Sequence, residues 1–277
     1  MLIPLLFAAL ATAPCHCVSF RLDDIQDYYD REGQMAVIEL FHDENEALTI
    51  GVIGNALGQD RELVNFLAQH RAGVEFANHG WRHEDFSVLS ADDQAKLMNQ
   101  TDSKVMDMFG VKPVTFIPPF NRLNNDTSVA ASRNGLAIIS ADMKQDRPAI
   151  DESQIYHLPI NANVSDYDEE KLYWKSFGND VVLSDVEKGI ARDGYAIIML
   201  HPRDFVGADY KVDQLKLNQL RELVGSLQQK GLRIVAVSEL ANVRPAPEFP
   251  AGILVAGTAS MAFMLYYRLY NKRAGKQ

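Results

Sequence analysis

Between Cys17 and Arg244 the chain alternates between short β-rich apolar runs and longer stretches of helical periodicity. The runs are CVSFRL, LTIGVIG, GVEFANH, VTFIPPF, LAIISA, YAIIMLH and LRIVAVS. The helical stretches are Tyr29–Phe41, Asp60–Gln69, Ala91–Phe109, Asp126–Asn134, Asp185–Ala191 and Asp213–Lys230. Ser90 and Ser184 stand where a side-chain oxygen caps a helix start, and Gly110, Gly135, Gly194 and Gly231 stand where helices stop. Strands alternating with helices build βαβ units, and these build a parallel sheet. The predicted class is α/β, a distorted (β/α)7-type barrel with parallel strands over residues 15–242, plus a C-terminal transmembrane helix. The stretch NANVSDYDEEKLYWKSFGND lacks a period and is predicted to be a long loop over the sheet.

Both ends of the chain depart from this alternation. Phe249–Tyr267 carries no charge and is about the length a helix needs to cross a bilayer. Two tyrosines close it, and residues 268–277 follow with Arg268, Lys272, Arg273 and Lys276 and no acid, which suits a cytoplasmic tail. Residues 243–248 read as a proline-rich linker. Residues 1–14 form an apolar, signal-like segment ending near Ala11-Thr12-Ala13, although no basic residue precedes it and Pro14 follows. The expected arrangement is a single-pass protein of the cell membrane with its catalytic domain outside. The net charge of −10 argues against a nucleic-acid surface. The two cysteines, Cys15 and Cys17, are expected to be too close in sequence for an unstrained bridge, so no disulfide framework is predicted.

In parallel α/β folds the active site gathers at the C-terminal ends of the strands. Asp23 and Asp24 follow the first strand, His79 and His83 the third, Pro118-Pro119-Phe120-Asn121 the fourth, Asp142 the fifth, and His201 ends a later one. All of them fall at one end of the fold. Histidines four apart share one face of a helical turn and can share a metal; two such histidines are equally compatible with a solvated surface. An Asp pair alone is as compatible with a cap or a turn.

FRLDDI, HGWRH, FIPPFN and MLH, in that order and spacing, resemble the polysaccharide deacetylases, the nodulation-protein-B homology domain of carbohydrate esterase family 4. The resemblance covers roughly Val18 to Leu240. It implies that Asp24, His79 and His83 bind one divalent ion, zinc first, with cobalt, manganese or nickel also suitable. It implies further that Asp23 is the base and His201 the acid, and that Pro119, Phe120 and Asn121 meet the substrate. The implied reaction is metal-dependent removal of N-acetyl groups from an amino-sugar polymer or glycan of the cell envelope. Hydrolysis of another acyl amide or ester, and a non-catalytic sugar-binding role, are the alternatives.

The departures from the family pattern are specific. Ile117 stands where the family holds its catalytic Asp with an arginine. Ile25 replaces a glycine, Gly80 replaces Ser or Thr, and Met199 replaces a leucine. The family's Asp-x-x-Asp-Trp motif is absent; Asp142 is a positional candidate for orienting His201, and Trp174 has no assigned place. Arg21 precedes Asp23 by two residues, so on a strand the two side chains share a face and the guanidinium can reach the carboxylate. Arg122 is a second candidate for that task.

Overall fold

The computed structural model describes residues 15–142, 151–168 and 173–241, all within one compact unit, Pro14–Arg244. The signal-like segment, the linker, the apolar segment and the basic tail lie outside the described residues. Among the described residues no helix is long and apolar enough to cross a membrane.

The strands are β1 (Cys17–Ile25), β2 (Leu48–Val52), β3 (Val74–Asn78), β4 (Thr115–Phe116), β5 (Ile138–Ala141), β6 (Tyr156–Pro159), β7 (Ala162–Asn163), β8 (Ser165–Asp168), β9 (Tyr173–Ser176), β10 (Tyr195–Leu200) and β11 (Arg233–Ile234). The main helices are α1 (Arg31–Asp43), α2 (Arg61–His70), α3 (Ala91–Phe109), α4 (Asp126–Asn134), α5 (Asn179–Asp193) and α6 (Gln214–Gln229). Nine strands form one parallel sheet in the order β6-β5-β4-β3-β2-β1-β10-β7, with β11 also on β1. The two outermost strands are consecutive in the chain. The ladder passes from β5 to β10 where Ile160 N–H bonds Ala141 O and Asn161 N–H bonds Ile197 O. The predicted parallel barrel is therefore present as a curled sheet whose two ends share one run of chain.

The period of two along β1 sorts its side chains. Val18, Phe20 and Leu22 pack outward against Val37, Phe41 and Leu223 of the helices. Phe20 and Phe41 meet edge to face at 4.8 Å. Cys17 points inward to a second cluster with Tyr195, Ile197 and Val237. Farther along the inward face come Ser19, Arg21 and Asp23, all buried. The sheet thus encloses an apolar floor and a polar upper half.

Several expectations are corrected. β6 and β7 are absent from the predicted strands because Pro159, Asn161 and Asn163 interrupt the run; Pro is tolerated there because β6 has a partner on one side only. Part of the stretch read as a long loop is β7 and the antiparallel hairpin β8–β9. Acidic residues between its aromatics hide the alternation. α5 starts at Asn179, capped at Gly178, so Ser184 lies inside the helix rather than at its start; Val182 and Val186, four apart, form its buried face. A left-handed His16, at φ 46°, brings the Cα atoms of Cys15 and Cys17 to 5.1 Å.

Candidate active site

β1 ends in a bulge. Its register against β2 slips between Leu22 and Ile25, and Asp24 takes a left-handed conformation, φ 62°. Asp tolerates this region better than most residues. The extra residue reverses parity, so Ile25 joins Val18, Phe20 and Leu22 in the outer core. A glycine there would leave that volume empty. The same slip frees Asp24 from the helix-facing side.

His79 follows β3, and its backbone N–H extends the ladder to Val52 O. Gly51 makes room for it: a Cβ at 51 would lie 3.3 Å from the His79 Cβ and Cγ. His83 arrives through a loop with left-handed Gly80 and His83, not through the helical turn that the spacing suggested. Trp81 and Arg82 N–H both donate to the Glu84 carboxylate and tie that loop. The left-handed φ of Gly80, 76°, favours glycine at this position.

The three groups converge. One nitrogen or oxygen from each of Asp24, His79 and His83 lies within 4.8 Å of the others. His79 Nδ1 is 2.7 Å from the Ile117 carbonyl oxygen. A carbonyl only accepts, so Nδ1 carries a proton, and in the neutral form of the ring the lone pair is on Nε2. That Nε2 faces Asp24 Oδ1 at 3.3 Å, and His83 Nε2 faces the same oxygen at 3.1 Å. Asp24 Oδ1 is buried and makes no hydrogen bond. Lone pairs facing a carboxylate oxygen repel it unless positive charge sits among them. Burial raises the Asp24 carboxyl, but the two imidazoles outweigh it and hold the group far below the ordinary carboxylate range. Burial lowers His79, but the adjoining Asp24 and Asp23 carboxylates outweigh it and push the imidazole up. Two nitrogens and one oxygen with an open side fit a divalent ion. A cleft of about 440 Å³ opens beside them, lined also by Gln26, Tyr29, Asn55 and Arg82.

Arg21 is fully buried and forks onto Asp23, with Nε to Oδ1 at 2.9 Å and Nη2 to Oδ2 at 2.7 Å. Nη1 donates to Ser140 O at 2.8 Å and to Ser140 Oγ at 3.0 Å, and Nη2 also reaches Asn121 Oδ1 and Met199 Sδ, each at 3.2 Å. All three guanidinium nitrogens are thereby engaged. Arg122 pairs instead with Asp85 and lies over the Phe120 ring, away from Asp23.

The turn after β4 is strained, with Phe120 and Asn121 both left-handed at φ 57° and 54°. Phe120 is exposed and its ring meets His83 at 4.4 Å. Pro119 is buried. His201 is half-buried at the end of β10, and its ring meets Trp174 of the hairpin at 5.0 Å. Its backbone N–H donates to Asp204 Oδ2 at 2.8 Å, and Ser165 Oγ donates to Asp204 Oδ1. Asp142, expected to orient His201, is exposed and lines a different groove with Asn161, Asn163 and Asp166. Asp204 is the carboxylate that feels His201: burial raises it and the His201 charge works against that. Sequence reasoning missed Asp204, Trp174 and Tyr29. The only signal was that Asp204 follows HPR within three residues of His201. Tyr29 faces the cleft, where burial and then the charges of Asp24 and Asp30 push its phenol up to about 12, so it stays a proton donor.

The family model described as Polysaccharide deacetylase matches residues 11–139. Over this segment the chain is similar to the polysaccharide deacetylase family. The segment contains Arg21, Asp23, Asp24, His79, His83 and Phe120, whereas Trp174 and His201 lie beyond it. Among solved structures the chain is similar to a provisionally assigned polysaccharide deacetylase from Mycobacterium smegmatis, at TM-score 0.64 and 18% identity, over 87% of this chain and 93% of that one. It is similar to a family 4 acetyl xylan esterase from Clostridium thermocellum holding a cobalt ion, at TM-score 0.56 and 17% identity, over 83% and 94%. A family 4 pseudoenzyme from Bacillus anthracis aligns at TM-score 0.58 and 15% identity, over 83% and 67%. At these identities the neighbours establish the fold.

Against the polysaccharide deacetylase pattern, two departures share one cause. The arginine missing at Ile117 has its counterpart in Arg21, and Met199, directly across the β1–β10 ladder, puts a thioether sulfur where that guanidinium donates.

The histidine loop is braced from behind. Asn78 Oδ1 accepts from Gly80 N–H, and its Nδ2 donates to Met98 O and to Asp102 Oδ1 at 2.7 Å. Burial pushes the Asp102 carboxyl up to about 6, against the opposing Asn78 hydrogen bond. Its charged form is thus disfavoured in the fold, and stability from this site is full below the unfolded value near 3.8 and falls as pH rises through about 6. Asp102→Asn, which keeps the acceptor for Asn78, is expected to stabilise the protein by on the order of 2 kcal/mol at pH 8 and by almost nothing near pH 4. Urea unfolding at the two pH values checks this; an equal change at both contradicts the assignment.

Proposed function

We propose that this protein is a metal-dependent hydrolase that removes N-acetyl groups from an amino-sugar glycan. The observation that carries the reading is the buried Asp24 Oδ1 faced by two histidine nitrogens, one with its tautomer fixed by Ile117 O. Asp24, His79 and His83 would hold the ion. When bound, it would supply Lewis acidity to an acyl carbonyl and acidify a water. Asp23, held by the Arg21 fork, would take the proton of the attacking water. His201 would give a proton to the departing amine. The amide C–N bond breaks, water's oxygen goes to the acyl group, and the products are acetate and a free amine. The same groups serve an O-acetyl ester, so both substrate types belong in the assay.

Loss of the arginine at Ile117 favours a non-catalytic relative. The Arg21 fork answers it, because the guanidinium reaches Asp23 from two residues before it on β1 rather than from the end of β4. The membrane reading of Phe249–Tyr267 remains a proposal from sequence: truncation after Ala246 should release a soluble protein, and a truncated form still sedimenting with membranes contradicts it.

The preparation should contain about one divalent ion per chain, lost when His79 and His83 are both changed to Ala. Elemental analysis that finds no metal in the unaltered protein, or equal metal in both, overturns the site. Arg21→Met should lower turnover about ten-fold or more at unchanged metal content, since a charged hydrogen bond to Asp23 is worth about 1.5–3 kcal/mol. A fully active Arg21→Met protein removes Arg21 from the site.

A further inference from the structure

Arg82 brings the only guanidinium to the cleft beside the candidate metal site, and the proposed chemistry does not use it. The loop that carries it is fixed. The N–H groups of Trp81 and Arg82 donate to Glu84 Oε2, and those of Gly54 and Asn55 donate to the Gly80 and Trp81 carbonyls. Trp81 packs down on Gly54, where a Cβ would lie 2.8 Å from its ring. Arg82 itself is exposed. Two acids follow it closely in the chain, yet neither takes its charge. Glu84 Oε2 is occupied by the two backbone donors, and Asp85 pairs with Arg122 and accepts from Ser87. Among the described residues no carboxylate pairs with Arg82, whereas Arg21, Arg122 and Arg203 each have an aspartate. The one carboxylate lining the cleft, Asp24, faces His79 and His83 instead. Tyr29 and Asn55 add further donors to the same walls. The cleft thus presents an unmatched positive charge in a chain of net charge −10. On an open face water alone would satisfy such a guanidinium. Inside a cleft it meets whatever is held beside the reacting groups, and the walls focus its field on an anion.

We propose that Arg82 is a specificity residue that receives a carboxylate of the substrate, so that the preferred glycan is an acidic one. The proposal rests on the deacetylase reading above and names the substrate class of that same site. A carboxylate offers two oxygens to the planar guanidinium fork, which fixes the orientation of the sugar that carries it as well as matching its charge. A neutral amino sugar offers only hydroxyls and amides and leaves the charge of Arg82 uncompensated. The carboxylate has two chemical sources: an acid carried through an ether on the N-acetylated sugar, or a uronic acid as the neighbouring unit. Either puts one anion into the cleft that Arg82 shares with Asp24 and His83. Because Arg82 is exposed, the preference weakens as salt rises.

The test uses the full chain as purified and follows acetate release from two pairs of glycans. The first pair is an oligosaccharide alternating N-acetylglucosamine with glucuronic acid, and its methyl ester. The second is an N-acetylglucosamine oligosaccharide bearing lactyl ethers, and its methyl ester. Within a pair only the carboxylate charge is removed, so the ratio of kcat/KM for acid over ester cancels any loss common to both. The unaltered protein should prefer the acid of at least one pair by roughly ten-fold or more, and the pair that responds locates the carboxylate. Arg82→Gln should bring that ratio close to one at unchanged metal content. Arg82→Lys should keep part of it, since the charge stays and the fork is lost. A ratio near one for both pairs in the unaltered protein, or a ratio that survives in Arg82→Gln, overturns the assignment and leaves the deacetylase reading standing. If none of the glycans releases acetate although the metal is present, the deacetylase reading fails and the assignment of Arg82 falls with it.

Discussion

The upper half of the sheet interior is organised by one buried ion pair, Arg21 with Asp23. Burying either charge alone would cost several kcal/mol. Together, and with Ser140, Asn121 and Met199 engaging the remaining guanidinium hydrogens, they form a satisfied network inside an otherwise apolar fold. That network ties β1 to β5, β10 and the turn after β4. It also orders the neighbourhood of Asp24, since the bulge that turns Asp24 toward His79 and His83 begins one residue beyond Asp23. The metal-ligand candidates and the proposed base are thus set by the same few residues of one strand.

Part of the strained backbone falls around this network. Asp24, His83, Phe120 and Asn121 all sit at positive φ, and each lies in or beside the candidate site. Such conformations persist where the surroundings over-determine them. Here the outer core holding Ile25, the Asn78 brace behind Gly80 and the Arg21 bond to Asn121 do so. The hairpin adds the remaining wall: it joins Asp204 and His201 through Ser165 and Trp174, so the proposed acid is held by a segment distant from the two aspartates in sequence.

Much of this could be read from the chain because it is local. The apolar runs and helical periods located the central strands and the six long helices of the described residues, since burial on a fixed period leaves a mark in sequence. The Arg21–Asp23 contact was legible for the same reason, as residues two apart on a strand share a face. What could not be read depends on distant parts of the chain. The passage of Tyr156–Asn163 from β5 to β10 is masked by a proline and two asparagines. The hairpin is masked by acids between its aromatics. The pairing of Trp174 with His201, the role of Asp204 and the exposed placement of Asp142 follow from tertiary neighbours alone. The His79–His83 spacing pointed to the right pair, but the joining is by a left-handed loop and not by a helix.

The most direct test of the central claim is a double-mutant cycle on unfolding free energy with Arg21→Met, Asp23→Asn and the pair together. If the two charges are held by each other, each single change costs about 3–5 kcal/mol by stranding its partner. The double change should then cost less than the sum of the singles by well over 1 kcal/mol. Strictly additive costs would show that Arg21 and Asp23 are stabilised independently, and the account of the site built on their pairing would be wrong.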